Sequence, residues 1–193
     1  MKSLPTVALA FALGALAPQS FHAQDLHIGA PASAISVTDM DGHLVTYEPH
    51  SGKPAVVIFF STRCPISSAF NYRRNVLYNE FKDRVNFIIV NSNANESLEE
   101  IRNYARAMEF DSPVYRDDNN VMADRFGAQV TTDTFLFDSL GVLRYHGYLE
   151  DSPNATRAKV PALRLAIQAV LAGQPVAKPE TKSFGCSIRR ARL

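Results

Sequence analysis

Cysteine is scarce in this chain, which has only Cys64 and Cys186 among its 193 residues. Two cysteines so far apart cannot provide the closely spaced ligands of a zinc finger. They can form one disulfide across nearly the whole domain, or they can act as separate thiols. Their spacing leaves both arrangements open.

Charge of one sign is also lacking, because 20 Lys and Arg residues stand against 19 Asp and Glu residues, for a formal net charge of +1. This balance argues against a nucleic-acid-binding surface, so we expect no nucleic-acid partner. Hydrophobic residues make up 46% of the chain and charged residues 20%, as in an ordinary globular protein. The length suits one domain with one sizeable core.

The chain also lacks a hydrophobic run of membrane-spanning length near its N-terminus. The apolar run over residues 7–16 is about 10 residues long, whereas a membrane helix needs roughly 20. Lys2 precedes this run and small residues follow it, which is the pattern of a secretory signal peptide. We expect removal of residues 1–23 by cleavage after Ala23, or alternatively after Ala17. The mature protein would be periplasmic or secreted, without a stable membrane anchor; an uncleaved anchor or an unstructured tail is the other interpretation.

Apolar periodicity predicts alternating strands and helices in the rest of the chain. Continuous short apolar runs fit strands buried on both faces of a sheet, and apolar residues every three to four positions fit helices. The predicted elements are a hairpin over Ala34–Tyr47, a strand over Pro54–Phe60, a helix from Pro65, a strand over Val85–Val90, a helix from Leu98 to Met108, an extended piece over Pro113–Tyr115, helical turns over Val121–Phe126, a hairpin over Thr134–Tyr148 and a helix from Pro161 to Gly173.

This order predicts the α/β class, with a central mixed β-sheet flanked by helices, an N-terminal β-hairpin and an extended C-terminal arm. We assign residues 24–173 to the domain and residues 174–193 to the arm. The arm shows no clear periodicity, and we expect it to be flexible. We expect solvent-facing positions for Arg73 and for the turn at Arg116–Asp118, and an exposed or edge-strand position for His146.

Cys64 stands where a buried strand meets a helix, and Pro65 opens that helix. A helix N-terminus carries partial positive charge and unpaired N–H groups, which favour a thiolate over a thiol. Arg63 adds a cation beside it, so we expect a pKa for Cys64 below the usual value of about 8.5. The alternative is a buried, inert cysteine, which the polar residues on both sides of Cys64 disfavour.

The cysteine motif and several later segments follow a recognisable pattern. These segments are Phe60–Ser67, Val90–Asn93, Asp117–Asp118, Phe126–Ala128, Thr134–Asp138, Gly141–Tyr145 and Phe184–Ile188. They resemble the thioredoxin-like redoxin family, the alkyl hydroperoxide reductase/thiol-specific antioxidant group, and the resemblance covers roughly residues 28–188. It implies a thioredoxin-like fold and a redox-active Cys64, with no cofactor and no metal.

Three departures from the family pattern bear on the mechanism. Thioredoxins have a second cysteine three positions after the first, where this chain has Ser67. They place a cis-proline before the strand that begins at Thr134, where this chain has Thr132, so we expect a trans or reshaped loop there. Peroxiredoxins place an arginine near that same loop and a proline at the position of Val57. Only Ser61 fits their hydroxyl position.

Cys186 is the candidate resolving thiol, because Ser67 cannot exchange with sulfur. It lies in the arm, which is long enough to reach Cys64. A static structural disulfide and a second free thiol are the alternatives. The candidate catalytic residues are therefore Cys64, Cys186, Ser61, Arg63 and Thr132.

Three functions are compatible with these residues. The leading hypothesis is an exported thiol–disulfide oxidoreductase that acts on protein disulfides or thiols and uses an external thiol reductant. The second is a thiol peroxidase that reduces small hydroperoxides through a sulfenic acid on Cys64. The third is a non-enzymatic metal or copper carrier that uses both cysteines and a histidine, although no nearby ligand pair supports it.

Overall fold

The computed structural model describes residues 26–48 and 51–191 of the chain. The expected signal peptide, residues 1–23, lies outside the described residues. Within the described part of the chain, no helix has both the length and the apolar character that crossing a membrane requires.

The described residues form one mixed sheet of seven strands, which confirms the predicted fold class. Across the sheet the strand order is β2-β1-β5-β4-β3-β6-β7. β4 pairs in parallel with both β3 and β5, and the other neighbouring strands are antiparallel. β3 is buried along its whole length, as its continuous apolar run predicts. The strands are β1 (Ile35–Thr38), β2 (Leu44–Tyr47), β3 (Ala55–Phe59), β4 (Asn86–Asn91), β5 (Val114–Arg116), β6 (Thr134–Phe137) and β7 (Leu143–Gly147).

Helices cover both faces of this sheet. Side chains alternate between the faces along β3, so Val56 and Ile58 join one apolar cluster while Val57 and Phe59 join another. The first cluster includes residues of α2, α3 and α5, and the second includes residues of α4. The helices are α1 (Pro65–Ser68), α2 (Asn71–Phe81), α3 (Leu98–Ala107), α4 (Val121–Phe126) and α5 (Ala162–Leu171), with a 3-10 turn over Asp118–Asn120.

The helix predicted from Pro65 is divided into α1 and α2. The N–H of Phe70 donates to the carbonyl of Ser67, three residues back, at 3.1 Å. This bond tightens the chain into a 3-10-like turn between the two helices. Helix α2 follows directly, and its first helical hydrogen bond runs from the N–H of Arg74 to the carbonyl of Phe70 at 2.8 Å.

Two consecutive arginines of α2 are largely buried, so the expectation of a solvent-facing Arg73 is wrong. The Arg73 guanidinium lies 4.3 Å from the ring centre of Phe70 and pairs with Glu150. Arg74 lies 4.4 Å from the ring centre of Phe110. Burial lowers the pKa of Arg74 to about 10, which leaves it protonated at neutral pH. Aromatic faces and a carboxylate thus replace water around these cations.

The turn expected to be solvated at Arg116–Asp118 has a buried centre. Asp117 is only 4% exposed. Its carboxylate accepts the N–H groups of Met122 and Ala123 at 2.8 and 2.9 Å, which satisfies the first turn of α4. Burial raises the pKa of Asp117. The prediction of a solvated turn is therefore wrong for Asp117, because its side chain caps the free N–H groups at the start of α4.

The C-terminal arm lies against the domain, so the expectation of a flexible arm is wrong. Its first part runs beside the edge strand β7: the N–H of His146 donates to the Pro179 carbonyl at 2.9 Å, and the N–H of Thr181 donates to the His146 carbonyl at 3.0 Å. The Thr181 hydroxyl bonds to the hydroxyl of Tyr145 at 2.8 Å and accepts the N–H of Tyr148 at 3.0 Å. An edge strand has backbone N–H and C=O groups without a partner strand, and the arm pairs with these groups on β7.

The second part of the arm pairs with the loop that precedes β6. The N–H of Thr131 donates to the Cys186 carbonyl at 2.8 Å, and the N–H of Ile188 donates to the Gln129 carbonyl at 2.9 Å. Ile188 is buried among residues of the second cluster. The approach is close at Gly185, where a Cβ atom would overlap the Thr131 carbonyl oxygen.

We therefore expect Gly185→Ala to loosen the arm, because the added methyl group cannot fit while the arm stays paired with the loop. Limited trypsin digestion at Lys182 and Arg189 should become severalfold faster than in the wild type. Ser187→Ala is the matched control, since Ser187 is an exposed residue on the other side of Cys186. Equal digestion rates for Gly185→Ala and the wild type would contradict a docked arm.

Candidate active site

Cys64 is positioned by the end of β3 and the start of α1. Its backbone is extended, Pro65 is the first residue of α1, and the Cys64 carbonyl accepts the N–H of Ser68 at 2.9 Å. Cys64 is bonded to Cys186 in a disulfide whose α-carbons are 5.9 Å apart. Of the three arrangements considered for Cys186, the structure has the disulfide and not the free thiol.

The two bonded cysteines differ in their access to solvent. Cys64 is only 1% exposed, whereas Cys186 is an exposed residue. The arm residue Phe184 packs close by, with its ring centre 6.2 Å from that of Phe70 and 6.0 Å from that of Tyr148. The disulfide therefore joins an enclosed cysteine to one that borders solvent.

A buried carboxylate organises the loop that precedes Cys64. Glu96 is 2% exposed, and its two oxygens accept four hydrogen bonds. The Ser61 hydroxyl donates at 2.5 Å, the Thr62 N–H and hydroxyl each donate at 2.7 Å, and the Asn91 amide donates at 2.7 Å. These bonds join the carboxyl ends of β3 and β4, and they direct the Ser61 hydroxyl to Glu96.

Sequence reasoning missed Glu96. The sequence predicts only a helix from Leu98 in this region, and Ser97 does cap that helix, α3, by accepting the N–H of Glu100 at 3.1 Å. An acidic residue beside a helix N-terminus is ordinary on electrostatic grounds and gives no signal of burial. The one hint in the sequence was that Glu96 comes shortly after β4, the strand that pairs with β3, which precedes Cys64.

Arg63 forms a salt bridge with Glu100 on α3. Its Nε and Nη2 atoms donate to the two carboxylate oxygens at 2.7 Å each, a bidentate pair. Hydrogen bonding from Arg63 holds the pKa of Glu100 below its usual value, against the opposite effect of burial. The charge expected to assist Cys64 is therefore compensated by a carboxylate.

Thr132 occupies the loop where thioredoxins have a cis-proline, and its peptide bonds are trans, as the sequence predicts. Its φ is +90°, a region that β-branched residues rarely adopt. The Thr132 N–H donates to the Phe59 carbonyl at 2.7 Å, and its hydroxyl donates to the Phe184 carbonyl at 2.6 Å. Thr132 thus links β3 to the arm two residues before Cys186.

His146 belongs to a small polar cluster that also holds the arm. Its Nε2 lies 2.8 Å from a carboxylate oxygen of Asp133, and its ring stacks on Phe135 with centres 4.3 Å apart. The hydroxyl of Ser183 donates to the same Asp133 oxygen at 2.7 Å. His146 lies on the edge strand β7 with its side chain 32% exposed, which agrees with the expectation of an exposed or edge position, and its ring is packed and paired on one side.

Asparagine side chains hold the arm after Cys186. The N–H of Arg189 donates to the side-chain oxygen of Asn93 at 3.0 Å, and the N–H of Ala94 donates to the Arg189 carbonyl at 2.9 Å. The N–H of Ala191 donates to the Asn120 side chain at 2.7 Å. The arm is therefore held on both sides of the disulfide by bonds that do not involve sulfur.

Among the described residues, one group could offer three ligands to a metal ion, namely Asp39, Asp41 and His43 in the β1–β2 turn. Asp39 already accepts the backbone N–H groups of Asp41 and His43. The group contains neither cysteine. The chemistry that the site can perform is thus the breaking and forming of the bond between Cys64 and Cys186.

A thioredoxin-like sheet with a cysteine at the junction of β3 and α1 defines a thiol redox protein of the thioredoxin fold. Residues 28–146 match the AhpC/TSA family, and the chain belongs to this family. It is a thiol-dependent oxidoreductase. The family assignment confirms the resemblance that the cysteine motif indicated.

Solved structures from several bacteria share the fold. A hypothetical protein of Sinorhizobium meliloti 1021 is 27% identical with a TM-score of 0.78, covering 88% of this chain and 98% of its own. An uncharacterized conserved protein of Geobacillus kaustophilus is 26% identical with a TM-score of 0.79, covering 88% and 95%. A secreted Mycobacterium tuberculosis disulfide oxidoreductase homologous to E. coli DsbE is 17% identical with a TM-score of 0.54, covering 70% and 95%. No curated protein matches the chain.

We expect Glu96→Gln to destabilise the oxidised protein by about 1–3 kcal/mol, because the new amide group would face donors instead of accepting from them. Urea unfolding at pH 7 measures the change. Glu99→Gln is the matched control, since Glu99 is exposed and its replacement should stay within about 0.5 kcal/mol. Equal unfolding midpoints for the two variants would contradict the organising role of Glu96.

We expect Thr132→Pro to destabilise the loop by about 1–3 kcal/mol, because proline cannot adopt φ of +90° and would remove the N–H bonded to Phe59. The rate of disulfide reduction by dithiothreitol should change severalfold with it. Thr132→Ser keeps both hydrogen bonds and should behave like the wild type. An unchanged reduction rate in Thr132→Pro would mean that this loop does not control the disulfide.

Proposed function

We propose that the protein is an exported thiol–disulfide oxidoreductase whose redox couple is Cys64 and Cys186. Cys64 supplies the nucleophilic thiolate, and Cys186 is its resolving partner. The observation that carries this proposal is the bond between the only two cysteines, formed at the strand–helix junction where family members have their reactive thiol. The structurally similar M. tuberculosis protein is a disulfide oxidoreductase and is secreted.

The arm performs the role that a neighbouring cysteine has in a Cys-x-x-Cys motif. Ser67 stands where that cysteine would be, and it is fully buried, with its hydroxyl accepting the Ser61 N–H at 3.2 Å. We expect the arm contacts on both sides of Cys186 to persist when the disulfide is reduced, because none of them involves sulfur. Held in this way, Cys186 meets Cys64 at a high effective concentration, which favours rapid resolution.

Thiol peroxidase activity is the second candidate, because the family includes peroxide reductases. A hydroperoxide would convert the Cys64 thiolate to a sulfenic acid. The Cys186 thiol would then condense with this sulfenic acid to form the disulfide. The groups that could activate a peroxide have other partners here, since the Ser61 hydroxyl donates to Glu96 and Arg63 is paired with Glu100. Disulfide exchange needs neither group, and we therefore favour it.

The partners follow from this chemistry. The protein would oxidise or reduce protein thiols and disulfides, and an external thiol would return it to the reduced state. Export rests on the signal-like sequence of residues 1–23. A copper-carrier role would require both thiols to be free, and the closed disulfide disfavours it.

The test compares two oxidants of the reduced protein by stopped-flow, a model protein disulfide and hydrogen peroxide. We expect the protein disulfide to oxidise the couple faster. Cys64→Ser should abolish the reaction, and Cys186→Ser should accumulate a mixed disulfide on Cys64 that mass spectrometry detects. Faster oxidation by peroxide, with a sulfenic acid on Cys64, would replace this function with that of a peroxidase.

A further inference from the structure

The oxidised protein offers its two sulfur-bearing residues unequally to an incoming thiol. Cys64 is 1% exposed, and Ser67, three residues later, is fully buried. Cys186, in contrast, is exposed. The residue that follows Cys186, Ser187, is also exposed. A thiolate arriving from solvent therefore meets the arm cysteine first.

The geometry of disulfide exchange sharpens this difference. The attacking sulfur approaches along the sulfur–sulfur axis, on the side opposite the sulfur that leaves. Cys64 is only 1% exposed, which leaves a thiolate from solvent little room for this approach to the Cys64 sulfur. Cys186 is an exposed residue, and access decides which sulfur of a disulfide is attacked.

The arm cannot easily swing aside to expose Cys64 while the disulfide is intact. Before Cys186, the Thr132 hydroxyl holds the Phe184 carbonyl, and Asp133 holds Ser183. After Cys186, the buried side chain of Ile188 holds the arm against the domain. Displacing the arm would break these contacts together.

We propose that external thiols reduce this protein by attacking Cys186, with Cys64 as the leaving group. The proposal rests on the proposed function, since it assigns the order of exchange within the same couple. In a Cys-x-x-Cys protein the first cysteine of the motif contacts the reductant. Here the second cysteine of the chain, Cys186, would do so.

The chemistry balances in two steps. An external thiolate RS⁻ attacks the sulfur of Cys186, a bond forms between them, and the bond to Cys64 breaks with its electron pair left on Cys64 as a thiolate. A second thiolate then attacks the R sulfur of the mixed disulfide, which releases RSSR and the Cys186 thiolate. The two protons of the two RSH molecules end on Cys64 and Cys186, and two electrons enter the couple. With a protein dithiol, the second thiol belongs to the same partner.

The test uses the oxidised wild-type protein and glutathione as the thiol. Samples are quenched with acid during the first turnover, free thiols are alkylated at acidic pH to prevent exchange, and peptides are mapped by mass spectrometry. We expect glutathione on Cys186 with the alkyl group on Cys64, at least about tenfold more often than the reverse, because access selects the attacked sulfur. In urea the preference should fall to near unity, since both sulfurs are then open.

A loosened arm provides a second measurement. Thr181→Val keeps the shape of the side chain but loses the hydroxyl that bonds Tyr145 and Tyr148. We expect a larger share of glutathione on Cys64 in this variant, whereas Ser187→Ala should keep the wild-type ratio.

Predominant glutathionylation of Cys64 in the folded wild type would overturn the proposal and leave the oxidoreductase function standing. If neither glutathione nor a protein dithiol reduces the folded protein, the proposed function itself fails, and the order of exchange fails with it.

Discussion

The close pairing of the C-terminal arm with the loop before β6 is the constraint on which the site depends. Gly185 makes this approach possible, because any side chain there would overlap the Thr131 carbonyl. The pairing brings Cys186 to Cys64 across 122 residues of sequence, and Cys64 is buried there. A cysteine pair that most thioredoxin-like proteins have within one helical turn is here formed between a strand–helix junction and a distant arm.

A second constraint supports the cysteine from the other side. Glu96 is buried and accepts hydrogen bonds from four uncharged donor groups. Such a carboxylate is stable only while every donor stays in place, because an unsatisfied buried charge is costly. The loop from Ser61 to Arg63 is therefore fixed before the chain reaches Cys64, which keeps the start of α1 in one position.

The central strands and two of the helices could be predicted from the sequence, because β3 and β4 contain uninterrupted apolar runs and α3 and α5 have a regular apolar spacing. Cys64 could be recognised as the candidate reactive cysteine, because it follows the apolar strand β3 and precedes the helix-opening Pro65. The docking of the arm could not be predicted, because many of its contacts are backbone hydrogen bonds along β7 and the 129–131 loop, which leave no pattern in the side-chain sequence. Burial of Arg74, Glu96 and Asp117 was equally hidden, since their partners are distant in the chain and a charged residue in a sequence indicates exposure.

The central claim is that the bond between Cys64 and Cys186 is a working redox couple and not a static brace. Its equilibrium reduction in dithiothreitol and glutathione buffers, followed by thiol alkylation and far-ultraviolet circular dichroism, tests this claim directly. We predict a reversible two-electron transition above about −300 mV with secondary structure unchanged, because the arm remains held by bonds that do not involve sulfur. Reduction only at lower potentials, or reduction that unfolds the domain, would identify a structural disulfide and contradict the account.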